Sequence, residues 1–197
     1  MRHSLPAALS AYRGVVFDLD GTLVDLPVDW SAVRRDLNAF WATLGLDHGE
    51  TGVREGLNRV EALGVPDALC RSFEIIRAFE GKAVWQAHPH QEMVDTARAC
   101  IARGQRLAVF SSNMTETARE ALSLLDLLEE VGPVIGGDQV SLRKPNPEGL
   151  RRILSQWNLG AAEVAYVADG DHEAALAAQI GVDFFHAAGV LTIHSSG

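Results

Sequence analysis

Short, almost uniformly apolar runs alternate with longer amphipathic ones over most of this chain. Residues 14–17, 107–110, 131–135 and 164–167 form such runs, each giving way to polar or glycine-bearing residues, and 183–185 forms a weaker fifth. Continuous apolar stretches of that length predict strands buried on both faces. Between them, apolar side chains recur at helical spacing over 90–102, 115–125, 146–157 and 171–180. The alternation predicts an α/β fold, a parallel sheet with helices on both faces. Ligands of such sheets gather at the carboxyl ends of the strands, so chemistry is expected where the apolar runs stop.

One segment breaks the alternation. From 27 to 87 no strand pattern occurs and three helical patterns follow one another. The first, 30–44, has Asp29 at its N-cap position and Gly45 as its stop. The second runs from about Thr51 to Leu63 and ends at Gly64, and the third, after Pro66, carries Leu69, Phe73, Ile76 and Phe79 at helical spacing. An all-helical insertion behind the first strand predicts a small cap domain, 27–87, on a core domain built from 1–26 and 88–197. Trp30, Trp41 and Trp85, with Phe40, Phe73 and Phe79, read as the packing of that small domain.

Composition adds limits. With 47% hydrophobic and 22% charged residues in a chain of 197, one good core plus a small accessory domain is expected. The net charge of -9 argues against nucleic acid or an anionic membrane as partner and leaves a small phosphorylated metabolite open. Cys70 and Cys100 lie in apolar, helix-like stretches and are expected as core thiols of a reducing compartment. The opening MRHSLPAALSAYRG has no signal-like apolar run, and nothing downstream approaches a membrane span. A soluble, cytoplasmic protein is the expectation.

The strongest chemical signal is VVFDLDGTLVD, residues 15–25, where Asp18 and Asp20 lie two apart directly beyond a strand and Gly21-Thr22 turns the chain. If the strand geometry persists, both carboxylates point to one side. Two carboxylates that close repel unless a cation or a proton intervenes. Magnesium, which takes one or two carboxylates plus substrate phosphate, suits them.

Here the sequence resembles the haloacid dehalogenase superfamily, over nearly its whole length and most closely the phosphoglycolate phosphatases. The resemblance implies a Rossmann-like core, with Asp18 as nucleophile and Asp20 as general acid/base. It also implies three further elements downstream. LAVFSSN supplies a hydroxyl ending a strand, Ser111, followed by Ser112 and Asn113, a natural phosphate cradle. Lys144-Pro145 in SLRKPNPEGL supplies the lysine that neutralises phosphoryl oxygens and restrains Asp18. Asp169 and Glu173 in VADGDHEAA supply the acidic cluster, with Glu173 where the family commonly has Asp and Ala168 where it often has Gly. The implied magnesium site joins the Asp18 carboxylate, the Asp20 backbone carbonyl and the Asp169 carboxylate, with Glu173 reaching metal-bound water. His172 and the His88-Pro89-His90 triplet read as surface and hinge residues, not as metal ligands.

The expected function is a magnesium-dependent phosphatase acting on a small phosphate monoester, through an aspartyl-phosphate. The alternatives are a phosphomutase of the β-phosphoglucomutase type and a non-catalytic ligand-binding protein on the same fold. Arginines of the insert (Arg34, Arg35, Arg54, Arg59, Arg71 and Arg77) are candidates to hold a carboxylate-bearing substrate.

Overall fold

The computed structural model describes residues 5–46 and 52–188. Its elements are α1 (Leu5–Leu9), β1 (Gly14–Phe17), β2 (Val24–Asp25), α2 (Trp30–Thr43), α3 (Val53–Leu63), α4 (Ala68–Ala83), β3 (His88–Pro89), α5 (Gln91–Ala102), β4 (Arg106–Phe110), α6 (Thr115–Leu124), β5 (Val131–Ile135), α7 (Glu148–Trp157), β6 (Val164–Ala168), α8 (Asp171–Ala178) and β7 (Asp183–His186). The chain divides into two compact units, Met1–Leu26 with Ala87–Gly197, and Pro27–Gln86.

The first unit is a five-stranded sheet in the order β5-β4-β1-β6-β7, parallel throughout, with helices on both faces. β1 is central, which is why all four of its residues are buried. Phe17 is level with Val109 of β4 and Val167 of β6, so the chain leaves β1 between the ends of two neighbouring strands. One face of the sheet, with Val16, Phe110 and Tyr166, packs on Leu150 and Ile153 of α7 and Leu176 of α8. Burial of these side chains supplies the main stabilising term, about 1.5–3 kcal/mol for each large apolar residue. β2 and β3 form a separate antiparallel ribbon in which Val24 pairs with Pro89 and Asp25 with His88. Strands of two residues carry no readable periodicity and were not expected.

The second unit packs α2, α3 and α4 around Val33, Leu37, Trp41, Leu57, Val60 and Ile76. Asp29 caps α2 as expected, its Oδ1 accepting the Ala32 N–H at 2.9 Å. Trp41 donates from Nε1 to Ser72 Oγ at 2.9 Å, which satisfies the buried indole. Thr51, expected to open α3, lies outside the described residues.

Three expectations need correction. Trp85 is 71% exposed, because it sits on a short 3₁₀ turn past the end of α4 where Val84 takes the inward position. Cys70 is exposed while Cys100 is buried, and both are free thiols; α4 turns Ser72 and Ile76 inward, leaving Cys70 outside. α7 starts at Glu148 and not at 146, because Pro145 and Pro147 hold the preceding residues out of the helical region. Among the described residues no helix is long and apolar enough to cross a membrane.

Candidate active site

Asp18 is the first residue beyond β1, yet its N–H still donates to Val167 O at 2.9 Å. The chain then turns on one acceptor: Leu19 O receives the N–H groups of Thr22, Leu23 and Val24. Gly21 stands at φ +75°, a left-handed conformation that strains any residue with a β-carbon. A β-carbon there would also fall on the Asp169 carboxylate. The glycine of the motif therefore admits the acid at the end of β6 to the backbone beside Asp18 and Asp20.

Asp18 is buried, and its two oxygens face different partners. Oδ1 accepts the Leu19 N–H at 2.7 Å, and Oδ2 lies 2.9 Å from Lys144 Nζ. The Lys144 side chain is only 5% exposed, and its Nζ is also 3.6 Å from Glu173 Oε1. Among the described residues the ammonium has no directed hydrogen bond, so both contacts are ion pairs. A charge buried to that degree is tolerable only when paired, and here the partners come from a strand end and a helix start. Glu173, read from sequence as a reach to metal-bound water, faces the lysine.

Asp20 is half-buried, and its Oδ1 accepts the Leu26 N–H at 2.8 Å. Burial pushes its carboxyl above the usual carboxylate range; the Leu26 N–H opposes this, and the charges of Asp18, Asp25 and Asp169 add to it. An acid that holds its proton above the ordinary range, next to one that is ion-paired, is the division of labour a general acid and a nucleophile need.

At the end of β4, Ser111 is buried and Ser112 exposed. The Ser111 N–H stays in the sheet, donating to Ile135 O at 3.0 Å. Its hydroxyl donates to Asn113 Oδ1 at 2.9 Å and accepts the Asn113 N–H at 3.2 Å. Two backbone N–H groups beside the expected phosphate cradle are thus engaged, that of Ser111 in the sheet and that of Asn113 within the loop, and Asn113 is buried as the partner that fixes Ser111.

Asp169 is exposed beyond β6. A cleft of about 320 Å³ lies beside it, lined by Gly21, Thr22, His90, Glu92 and His186 among others. Among the described residues no three His, Cys, Asp or Glu side chains gather at metal-holding distance. His172 is exposed, and His90 Nε2 pairs with Asp25 Oδ1 at 2.8 Å across the β2–β3 ribbon.

Two residues near the lysine were not expected there. Lys144 Nζ lies 4.9 Å from the centroid of the Phe110 ring and 5.5 Å from that of Tyr166. In the sequence both read as strand core. Their one signal is position, immediately before Ser111 and three residues before Asp169.

The chain is similar to known proteins over most of its length. Residues 12–181 match the family model described as haloacid dehalogenase-like hydrolase. A phosphoglycolate phosphatase of Cereibacter sphaeroides is 34% identical over 185 residues, covering 87% of this chain and 83% of its own. A pyrophosphatase, PpaX of Halalkalibacterium halodurans, is 27% identical over 173 residues, covering 81% of this chain and 75% of its own. Among solved structures, CbbY of Rhodobacter sphaeroides in complex with phosphate superposes with a TM-score of 0.62 at 19% identity, covering 94% of this chain and 90% of that one.

Proposed function

The chain belongs to the haloacid dehalogenase-like hydrolases and is a phosphatase of that family, and we propose that it hydrolyses a small phosphate monoester with magnesium, through an aspartyl-phosphate on Asp18. The observation that carries the proposal is the buried contact of Asp18 Oδ2 with Lys144 Nζ at 2.9 Å, beside an Asp20 whose carboxyl is pushed up. The name of the Cereibacter relative supports a substrate like phosphoglycolate, a phosphate ester with a carboxylate handle.

The donor set fits a hard cation. Asp18, Asp169 and Glu173 outnumber the single ammonium of Lys144, and Gly21 admits the Asp169 carboxylate to the motif's backbone. The carboxylates of Asp18 and Asp169 with the Asp20 backbone carbonyl would hold magnesium, and Glu173 would reach it through water. Two carboxylates and a carbonyl need no trio of side chains. A magnesium ion there supplies positive charge against the phosphoryl oxygens.

In the first step an Asp18 oxygen attacks phosphorus in line and the bond to the ester oxygen breaks, while Asp20 gives its proton to that leaving oxygen. In the second, ionised Asp20 takes a proton from water, whose oxygen attacks phosphorus and frees the Asp18 carboxylate and inorganic phosphate. Lys144 balances charge on the equatorial oxygens, and Ser111, Ser112 and Asn113 orient the phosphoryl group.

The insert, under this proposal, is a cap that selects the leaving group. The chain departs toward it at Leu26, which is tied to Asp20, and returns through the strand paired with β2. Of its arginines, Arg35, Arg59 and Arg71 are in ion pairs with neighbouring acids.

The test is phosphate release from a panel of small phosphate esters, phosphoglycolate included, with and without magnesium. Acid-quenched enzyme is examined by mass spectrometry for phosphoaspartate. Magnesium-dependent turnover, with the adduct on Asp18, is expected. Turnover by Asp18→Asn within tenfold of the parent removes the nucleophile assignment.

A further inference from the structure

We propose that Phe110 and Tyr166 are positioning residues for Lys144, their ring faces holding its ammonium where it meets Asp18. The inference rests on the reading that Lys144 serves the phosphoryl site. An ammonium carries three donors, and taking it out of water is costly unless each finds a partner. Among the described residues the buried Lys144 Nζ has no directed hydrogen bond, and besides Asp18 and Glu173 it is within 5.5 Å of two aromatic centroids. The negative face of an aromatic ring attracts a cation at that range, more strongly where water is excluded.

The rings are fixed from outside the site. Phe110 ends β4 and Tyr166 lies in β6, with β1 and Asp18 between them. α7 presses its backbone on Phe110 at Gly149, where a β-carbon would overlap the ring. Phe184 packs edge-on against Tyr166 with centroids 6.1 Å apart. Among the described residues the buried Tyr166 hydroxyl has no hydrogen-bond partner, while the ring lies against the ammonium. Burial, and then the charges of Asp18, Glu173 and Asp169, hold that hydroxyl neutral far above its ordinary range.

The test uses Tyr166→Phe, Tyr166→Leu and Phe110→Leu, alone and combined with Lys144→Met. In protein labelled with ¹³C-lysine, the Lys144 Cε protons, identified by their loss in Lys144→Met, should be shifted upfield by ring currents. That signal should survive Tyr166→Phe and move toward ordinary lysine values in both leucine variants. With p-nitrophenyl phosphate and magnesium, each leucine variant should lose about 10–100-fold in kcat, the scale of a misplaced group, with KM little changed. Tyr166→Phe should recover the loss, and in the Lys144→Met background the leucine changes should cost nothing further.

Equal losses with and without Lys144, or a lysine signal indifferent to both rings, would overturn the proposal. If the leucine variants fail to fold, stepwise fluorination of a phenylalanine at position 110 keeps the shape and drains the ring face. A kcat that does not fall along that series would also overturn it. Should the parent hydrolyse no phosphate ester, the function proposed above fails, and the lysine spectrum still decides the placement.

Discussion

The Leu26 N–H donates to Asp20 Oδ1 at 2.8 Å, so the second carboxylate of the motif also fastens the residue at which the chain leaves the sheet unit. Asp20→Asn keeps that acceptor and removes the transferable proton. Turnover should fall about 10²–10⁴-fold, the usual worth of a general acid/base. The loss should be larger for alkyl than for aryl phosphates, because a phenolate leaves without protonation. Steady-state kinetics on one substrate of each kind checks this, and equal losses would count against the acid role.

The same substitution should stabilise the metal-free protein at neutral pH. The Asp20 carboxyl is raised above 3.8 in the fold, so from that value up to its folded pKa the native state binds more protons than the unfolded chain. Stability is lost as pH rises through that window, and the penalty is complete above it. Asparagine does not titrate. Urea unfolding in chelator should find Asp20→Asn close to the parent at about pH 4 and more stable at about pH 8. An advantage that shrinks with rising pH would refute this.

Lys144→Met should destabilise the metal-free protein by about 3 kcal/mol, because Asp18 and Glu173 would then face each other without a cation. The denaturant midpoint measures it. An unchanged midpoint would mean that the carboxylates find other partners.

Gly56→Ala runs against the usual helix rule. Alanine normally improves a helix interior by about 1 kcal/mol. At Gly56, in α3, a β-carbon would overlap the Trp41 ring, whose Nε1 is bonded to Ser72. Overpacking of this kind costs about 1–3 kcal/mol. A net loss of stability is expected, seen by calorimetry with a change in tryptophan emission, and a stabilised variant would contradict it.

The sheet was legible because its strands are buried on both faces, which leaves uninterrupted apolar runs such as those of β1 and β6. Asp18 and Asp20 were legible because they directly follow such a run, whereas Lys144 and Asp169 were picked out by the family resemblance. What escaped had no local pattern. The β2–β3 ribbon is two residues long on each side, and the approach of Phe110 and Tyr166 to Lys144 depends on which strands the topology makes neighbours. Glu173 was legible as an acid on the first turn of α8, but its orientation toward Lys144 is set by tertiary packing. Trp85 misled because hydrophobicity carries no notice that a helix has ended.

The antiparallel pairing of Val24–Asp25 with His88–Pro89 makes the outgoing and returning chain a single two-stranded stem. Strands so paired lie about 5 Å apart, the span of a hairpin turn. Residues 27–86 are therefore a cassette: a short turn can replace them, or another insert can be grafted between the same two splice points, without moving either end of the sheet. Under the proposal that the insert selects the leaving group, swapping the cassette, rather than mutating the strands, would be the economical route to a new substrate.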